Sequence, residues 1–268
     1  MRISVITPVF NNVKYIGACI ECVMQQNCPD AEHVIVDGGS TDGTIEIIKK
    51  FADKYKNIRW ISEPDEGQSD AMNKGIKMAK GSIIGFLNAD DFYEKDVLNR
   101  AISIFKTIPK NSFIVGNCKM FDDHNKLIYT NKPKGLTLYN VLSGITKYDP
   151  PINPSAYFYS KSIHSLIGDY NINDSYTMDI DFVIRYLKIG NIKYYDEHWG
   201  NFRFIEGAKT FEDFKNKNAE KRYKALLEKY YQEINIFKKI QVVSIKSREQ
   251  IFSLFLRLLN KIKKTFKG

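Results

Sequence analysis

The sequence lacks most of the features that mark secreted or membrane-spanning proteins. Four cysteines in 268 residues do not make a disulfide framework. No stretch approaches the 18 or so uncharged apolar residues that a membrane-spanning helix needs. The N-terminal apolar run, MRISVITPVF, is too short for a signal peptide and has no small-residue cleavage site. We therefore expect a cytoplasmic protein.

Acidic residues are fewer than basic ones, but the chain as a whole has the composition of a globular protein. Apolar residues make up 43%, which excludes a wholly disordered chain or a collagen-like fibre. Lys and Arg number 40 against 31 Asp and Glu, for a formal net charge of +9. The surplus is concentrated in residues 209–268, and the rest is slightly acidic. A nucleic-acid-binding groove would spread basic residues among stacking aromatics, so we expect no nucleic-acid partner.

Strand-like and helix-like segments alternate through the first 110 residues. Buried, β-branched runs predict strands at 3–9, 33–37, 57–62 and 82–87, and helical spacing predicts helices at 13–26, 44–55, 69–79 and 94–107. This alternation is typical of βαβ units, so we predict an α/β fold with a parallel sheet. Either Asp42 or Thr41 is expected to cap the second helix.

The rhythm changes after residue 110. The pattern predicts a strand pair at 112–121 and 126–130, a proline-rich loop at 144–154, a strand at 155–160, a helix at 178–188 and helices beyond Gly207. We therefore divide the chain into a catalytic domain, 1–207, with halves 1–110 and 111–207, and a helical basic tail, 208–268.

Polar residues follow each of the first four predicted strands, and three of the four strand ends carry carboxylates. These ends read TPVFN, DGGSTDG, EPDEGQSD and NADD. In an open parallel sheet, ligands bind outside the carboxyl ends of the strands. Crowded carboxylates repel one another unless a cation or ligand hydroxyls compensate, and the pair Asp90 and Asp91 suits Mg²⁺ or Mn²⁺. The alternative for DGGSTDGT is an ordinary strand-to-helix turn.

The segment after the first strand, TPVFNN, contains no glycine. A dinucleotide-dependent dehydrogenase would need G-x-G-x-x-G there, which excludes that class. Sugar nucleotidyltransferases usually carry a glycine-rich, Arg-containing loop at the same place, so they remain only an alternative. A non-enzymatic basic protein that binds nucleic acid or membrane is the other alternative.

Four stretches in order, ITPVFNN, HVIVDGGSTDGT, SEPDEGQSDAMNKGI and GFLNADDFY, resemble glycosyltransferase family 2, the nucleotide-sugar transferases with the GT-A fold. The resemblance implies a Rossmann-like sheet flanked by helices, a nucleotide-diphosphate-sugar donor, commonly a UDP-sugar, and transfer of a hexosyl or N-acetylhexosaminyl group. It also implies a Mn²⁺ or Mg²⁺ cofactor. By this resemblance Pro8, Asn11 and Asp37 would line the pocket for the base of the donor. Asp70 and Lys74 would face the nucleotide and its phosphates. Asp90 would contact the ribose or the donor sugar, and Asp91 would bind the metal. Many relatives carry Asp where this chain has Asn88.

The resemblance also suggests residues in the second half. An inverting transfer needs a carboxylate that takes the proton from the acceptor hydroxyl, and the pattern MDIDF aligns Asp179 with that base. Asp181 is the runner-up and should face another side of the helix. Both acids would otherwise serve only as favourable charges at a helix start. The segment 201–207 resembles a late loop that closes over the diphosphate, where Arg203 could supply positive charge; a plain surface arginine is the alternative.

The tail ends in a basic amphipathic helix. Its apolar residues are Ile251, Phe252, Leu254, Phe255, Leu258, Leu259, Ile262 and Phe266, and lysines and an arginine lie largely elsewhere. Such a helix can lie on an anionic membrane, so we expect residues 245–268 to attach the protein peripherally to the inner face of the plasma membrane. That placement fits a glycan or lipid-linked acceptor. Packing against the catalytic domain or a dimer contact is the alternative.

Overall fold

The computed structural model describes residues 1–174 and 176–265, with the backbone alone for Thr146 and residues 251–265. The strands in the described residues are β1 (Ile3–Val9), β2 (Ala31–Asp37), β3 (Ile58–Ser62), β4 (Ile83–Phe86), β5 (Phe92–Tyr93), β6 (Phe113–Phe121), β7 (Leu127–Asn131), β8 (Tyr157–Ser160) and β9 (Ile192–Arg203). The helices are α1 (Ile16–Met24), α2 (Thr44–Lys54), α3 (Gln68–Met78), α4 (Val97–Phe105), α5 (Leu138–Leu142), α6 (His164–Ile167), α7 (Met178–Leu187), α8 (Lys209–Lys215), α9 (Asn218–Glu233) and α10 (Ile236–Thr265).

The strands form one mixed sheet in the order β3-β2-β1-β4-β8-β6-β9-β5, and β7 pairs with β6. β3, β2, β1 and β4 are parallel. β8 is antiparallel to both β4 and β6, and β6 is parallel to β9. Every residue of β1 is buried, as expected for a parallel strand covered by helices on both faces. The predicted α/β class is confirmed, and so are the eight elements predicted up to residue 110, with ends that differ by at most three residues.

Neighbouring residues of β1 pack into two separate hydrophobic clusters. Ile6 belongs to a cluster with Phe86, Tyr157 and Phe182, whereas Val5 lies in a second cluster on the other face. This alternation follows from the two-residue period of a strand. The N-cap of α2 is Gly43, so the predicted cap at Asp42 or Thr41 was wrong. Asp42 lies one residue earlier, and its Oδ1 accepts a hydrogen bond from the backbone N–H of Thr44 at 3.0 Å.

The second half contains one large element that the sequence did not predict. β9 runs for 12 residues between β6 and β5, so residues 201–203 belong to a strand and the prediction of a loop beginning at Asn201 was wrong. Half-buried and exposed polar residues such as Asp196 and Glu197 interrupt the apolar pattern of β9 and hide its strand periodicity. The predicted strand pair is confirmed as β6 and β7, which are antiparallel.

The tail helices contact the body of the protein. Leu226, Leu227 and Tyr230 of α9 are buried in the same cluster as Phe182 of α7. The hydrophobic core therefore continues across residue 207, where we predicted the boundary between the catalytic domain and the tail. Whether the tail has a function of its own stays a prediction. The predicted apolar face from Ile251 to Phe266 lies outside the described side chains. No helix in the part of the chain that the structure describes is long and apolar enough to cross a membrane.

Candidate active site

A cavity of about 570 Å³ opens at the carboxyl ends of the parallel strands. We call it the edge cavity. Its walls are residues 8–12 at the end of β1 and beyond it, residues 65, 67, 68 and 71 around the start of α3, residues 88–90 after β4, and residues 202–205 and 207–211 at the end of β9 and beyond it. Its position is the one that open α/β sheets use for ligands. Among the residues predicted from the sequence, Pro8, Asn11, Asp90 and Arg203 line it.

Asn11 holds the loop after β2 against the end of β1. Its backbone lies in the left-handed region (φ 47°), which asparagine tolerates better than most residues. Its N–H donates to Ser40 Oγ at 2.7 Å, and its Oδ1 accepts from the Thr41 N–H at 2.9 Å. The side chain therefore organises the rim of the edge cavity.

Asp37 lies behind this loop and not in the cavity wall. It is fully buried. Its carboxylate accepts hydrogen bonds from the backbone N–H groups of Gly39 and Ser40 and from the hydroxyls of Ser40 and Ser62. Four donors from the protein thus engage both oxygens. The role of Asp37 in a base pocket stays a prediction.

Asp90 and Asp91 are adjacent but face different surroundings. Asp90 lines the edge cavity. Asp91 is 3% exposed and accepts hydrogen bonds from Asn88 Nδ2 at 3.0 Å, Asn153 Nδ2 at 2.7 Å and the Arg203 backbone N–H at 3.1 Å. Burial raises the pKa of Asp90, and burial together with the neighbouring Asp90 charge raises the pKa of Asp91 well above its usual value. Positive charge at this point would therefore be stabilising.

The donor set limits which metal could bind. The described side chains, those of residues 1–145, 147–174 and 176–250, contain no group of three or more His, Cys, Asp or Glu placed to hold an ion. A closed zinc cage is therefore not built from them. Mg²⁺ and Mn²⁺ favour oxygen ligands, and Mg²⁺ is commonly held by one or two carboxylates plus substrate phosphates and water. Asp65 and Asp90 are the carboxylates in the cavity wall, and Asp90, which follows β4 beside Asp91, fits that pattern.

Asp70 and Lys74 pair with each other instead of facing the edge cavity. Lys74 Nζ lies 3.2 Å from Asp70 Oδ2 and 3.1 Å from Glu63 Oε1, and it donates to the Pro64 carbonyl at 2.8 Å. Neither residue is in the cavity wall. These contacts tie the loop after β3 to α3, so the structure does not bring this pair to the cavity as the resemblance implied.

Asp179 lies in the first turn of α7 and is partly exposed. Its Oδ1 accepts a hydrogen bond from the Tyr157 hydroxyl at 2.7 Å. Burial raises the pKa of Asp179 from 3.8 to about 6, although this hydrogen bond opposes the rise. Asp179 is not in the wall of the edge cavity. Ser69 Oγ donates to the Asp174 carbonyl at 2.9 Å and links the segment before α7 to the start of α3, which does line the cavity.

Asp181 has different partners, as its spacing predicted. It is 4% exposed and accepts hydrogen bonds from Arg185 Nε at 2.7 Å and from the Tyr230 hydroxyl at 2.6 Å. These contacts join α7 to α9. Asp181 is therefore engaged inside the protein, whereas Asp179 keeps an oxygen to which no donor is assigned in the described side chains.

Arg203 ends β9 and lines the edge cavity. Its guanidinium packs 4.9 Å from the centroid of the Phe92 ring and donates to Asn125 Oδ1 at 2.7 Å. Its charge lowers the pKa of Asp90, against the larger effect of burial. The side chain is thus held beside the acidic end of the cavity.

Sequence reasoning missed several residues of this site. Asp65 and Phe10 line the edge cavity. Asn153 donates a hydrogen bond to Asp91, and Tyr157 donates one to Asp179. Carboxylates were expected after the third strand, but nothing in the local pattern singles out Asp65 from its acidic neighbours Glu63 and Glu66. Asn153 precedes Pro154 at a short helical turn, which is a capping signal and not a signal for a site.

Residues 4–163 match the model of the family described as Glycosyl transferase family 2. A curated protein, PGL/p-HBAD biosynthesis glycosyltransferase from Mycobacterium bovis, is 33% identical over 186 residues, which cover 68% of each chain.

Three solved chains have a similar fold. S. aureus TarS has a TM-score of 0.66 and 19% identity, covering 92% of this chain and 43% of that one. TarS 1–349 in complex with UDP-GlcNAc has a TM-score of 0.64 and 23% identity, covering 79% and 61%. The mannosyltransferase PcManGT from Pyrobaculum calidifontis, in complex with GDP-Man and Mn²⁺, has a TM-score of 0.60 and 20% identity, covering 77% and 58%. The chain spans less than two thirds of each of these structures. At these identities the likeness shows the fold, and it confirms the predicted GT-A architecture.

Proposed function

The chain belongs to glycosyl transferase family 2, and from that premise we propose that it is an inverting, metal-dependent glycosyltransferase. It transfers a hexosyl or N-acetylhexosaminyl group from a nucleotide-diphosphate sugar, which we propose to be a UDP-sugar, to a hydroxyl of a glycan or lipid-linked acceptor. Two observations support this proposal: the carboxylate and the guanidinium that line the edge cavity, and the UDP-GlcNAc in the complex of TarS.

The strand order supports one direction for the donor in the cavity. β1 and β4 are neighbours, and β8 follows β4. Pro8 lies at the end of β1 and Asn11 follows it, Asp90 follows β4, and Tyr157, which contacts Asp179, begins β8. A nucleotide with its base near β1 and its diphosphate near Asp90 would therefore direct its sugar towards the β8 side. The acceptor hydroxyl would enter there, between the sugar and Asp179.

We assign the metal contact to Asp90 in preference to Asp91, which the resemblance suggested. Asp90 lines the cavity, whereas Asp91 is buried and receives three hydrogen bonds from the protein. A bound Mn²⁺ or Mg²⁺ would neutralise charge that develops on the departing diphosphate. Asp91 would then fix the turn that presents Asp90, and Arg203 would add a positive charge on the same side.

Asp179 is proposed as the general base. Its carboxylate takes the proton of the acceptor hydroxyl while that oxygen bonds to the anomeric carbon, and the bond from that carbon to the diphosphate oxygen breaks. A single displacement of this kind inverts the anomeric centre. A pKa of about 6 leaves the carboxylate mostly ionised at neutral pH and still basic enough to accept a proton. The Tyr157 hydroxyl orients it.

The observation that carries the proposal is a cavity at the sheet edge lined by both a carboxylate, Asp90, and a guanidinium, Arg203. The test is thermal unfolding with UDP, GDP, CDP and dTDP, each with and without Mn²⁺. A ligand that binds only the folded state raises the melting temperature. We expect a Mn²⁺-dependent increase with UDP that is lost in Asp90→Asn. If no nucleotide stabilises the wild-type protein, the transferase proposal is refuted.

We also propose that the tail lies on an anionic membrane and brings the active site to a lipid-linked acceptor at the inner face of the plasma membrane. Ile236, Phe237, Ile240 and Val243 at the start of α10 are each more than half exposed, with Lys238 and Lys239 among them. Exposed apolar residues beside lysines are typical of helices that bind anionic lipids. This stripe lies ahead of the segment 245–268 that the sequence predicted.

Vesicle sedimentation tests this second proposal. We expect the full chain to bind phosphatidylglycerol vesicles, not phosphatidylcholine vesicles, and Phe237→Ser to weaken binding. Leu166→Ser is the matched control, because Leu166 is 54% exposed and lies outside the tail. If the wild-type chain sediments with neither kind of vesicle, the membrane proposal fails. If, in addition, light scattering gives a dimer mass for the wild type and a monomer mass for Phe237→Ser, the stripe is a dimer contact.

A further inference from the structure

We propose that Tyr170 and Asn73 are positioning residues for Asp179. The Tyr170 hydroxyl directs the hydroxyl of Tyr157 towards the Asp179 carboxylate, and Asn73, on α3, keeps Tyr170 in place. Neither Tyr170 nor Asn73 lines the edge cavity, so both act through other residues and not on the substrate. The inference rests on the proposed function, because it concerns the general base.

The first support is the direction of the hydrogen bonds around Tyr157. An ionised carboxylate only accepts hydrogen bonds, and a tyrosine hydroxyl carries one hydrogen. Tyr157 gives that hydrogen to Asp179 Oδ1 at 2.7 Å. The Tyr157 hydroxyl also lies 3.3 Å from the Tyr170 hydroxyl, so the hydrogen in this second contact comes from Tyr170. The two hydroxyls thus form a chain of donors that leads from Tyr170 to the carboxylate.

The second support is the packing of the Tyr170 ring, which is buried. It stacks on the Phe182 ring with the two centroids 4.4 Å apart, and it meets the Phe86 ring edge-on at 5.6 Å. Phe182 lies on α7, the helix that also carries Asp179. Tyr170 therefore contacts both the helix of the general base and the hydroxyl that binds its carboxylate.

The third support is a pair of buried hydrogen bonds between Asn73 and the backbone of Tyr170. Asn73 Oδ1 accepts from the Tyr170 N–H at 3.0 Å, and Asn73 Nδ2 donates to the Tyr170 carbonyl at 2.8 Å. Asn73 is buried on α3, and Gln68 and Ala71 of the same helix line the edge cavity. The helix at the cavity thereby fixes the residue that lies behind the base.

The hydroxyl of Tyr159, which also interacts with Tyr170, gives its own hydrogen to another partner. It lies 2.9 Å from His164 Nε2, and His164 Nδ1 lies 3.1 Å from the Asp169 carboxylate. Burial lowers the pKa of His164, and so does the charge of Arg185, so the ring is neutral at neutral pH. Because a carboxylate only accepts, Nδ1 carries the hydrogen and Nε2 accepts from Tyr159. Tyr159 therefore leaves the donor chain to the general base intact.

Loss of the Tyr170 hydroxyl should raise the pKa of Asp179. Burial raises this pKa to about 6, the bond from Tyr157 opposes the rise, and the charge of Asp174 adds to it. Removing the Tyr157 bond outright should be worth about one to two pH units, and hydrogen bonds in a chain strengthen one another by about 10–30%. Tyr170→Phe should therefore raise the pKa of Asp179 by about 0.1–0.6 of a unit. Asn73→Ala should raise it too, because Tyr170 loses two hydrogen bonds that fix its backbone.

The experiment measures the pKa of Asp179 by NMR, in the full chain labelled with ¹³C at the aspartate carboxyl groups. The resonance of Asp179 is the one that disappears in Asp179→Asn. We expect a titration midpoint of about 6 in the wild type and a higher midpoint in both Tyr170→Phe and Asn73→Ala. In the double variant Tyr157→Phe/Tyr170→Phe the midpoint should equal that of Tyr157→Phe, because Tyr170 acts through Tyr157. Two substitutions that only loosened the core would give shifts that add.

Tyr186→Phe is the matched control, because Tyr186 lies in the same hydrophobic cluster as Tyr170 and its hydroxyl donates to the Asn111 carbonyl at 2.9 Å. It should leave the midpoint of Asp179 unchanged. If Tyr170→Phe has the wild-type midpoint, or if the two shifts add in the double variant, this inference fails and the proposed function stands. If instead Asp179→Asn keeps the wild-type transfer rate, Asp179 is not the general base, and the positioning role fails with that assignment.

Discussion

Replacing Asp179 by Asn should abolish most of the activity and at the same time stabilise the fold. Positioned general bases contribute about 100- to 10,000-fold to rates, so kcat should fall by that factor. The amide keeps an oxygen that can accept the hydrogen bond from Tyr157, so no buried donor loses its partner. KM for the donor should change little, because the proposed donor contacts lie elsewhere.

The stability gain follows from the pKa of Asp179. Its rise from 3.8 to about 6 means that ionising the folded protein costs roughly 3 kcal/mol at most. Below pH 3.8 the carboxyl is neutral in both the folded and unfolded states, and the cost is absent. It appears as the pH rises towards 6 and is constant above that value. Urea unfolding should therefore find Asp179→Asn more stable than the wild type at neutral pH, with the gain fading near about pH 4.

The dependence of kcat on pH tests whether Asp179 is the general base. Wild-type kcat should fall as the pH drops through about 6. In Tyr157→Phe the loss of a hydrogen bond worth about 1.5–3 kcal/mol should move this acid limb upward by about one to two pH units. Asp181→Asn is the control, since Asp181 contacts Arg185 and Tyr230 and its loss should leave the limb in place. If Asp179→Asn keeps the wild-type rate, or the limb does not move in Tyr157→Phe, the assignment of the base is refuted.

The remaining predictions concern the turn after β4 and the packing of β9. Asp91→Ala should lower the free energy of unfolding by roughly 3 kcal/mol in urea titrations, because it leaves three hydrogen-bond donors without their acceptor. Asp90→Asn should be at least as stable as the wild type, because burial already disfavours the Asp90 charge, and should lose Mn²⁺-dependent nucleotide binding. If Asp90→Asn still binds nucleotide with Mn²⁺ and a folded Asp91 variant does not, Asp91 is the metal ligand instead. Gly116→Ala should lower the melting temperature, at a cost of about 1–3 kcal/mol, because its Cβ would collide with the Trp199 ring. Gly17→Ala, with nearest atoms at 3.7 Å, is its control and should be neutral or slightly stabilising.

The parallel half of the fold was predictable because its signals are local. Each residue of β1 and β2 is buried, so an uninterrupted apolar run indicates the strand without knowledge of its neighbours. The intervening helices repeat apolar residues at helical spacing, and the polar strand ends come at the expected places. β9 escaped prediction because its half-buried and exposed polar residues carry no such run.

The amino-acid sequence by itself determined the fold class, the family and the edge of the sheet at which polar groups gather. Only the tertiary structure decided which of those groups face the edge cavity. Asp91 turns inward because Asn153, 62 residues away in the chain, donates to it, and Asp37 is engaged by Ser62, 25 residues away. Asp65 faces the cavity because Gly38, from another loop, leaves room for it. The direction of a carboxylate depends on the donors that the fold brings to it, and for Asp91 and Asp37 some of those donors, Asn153 and Ser62, are distant in sequence.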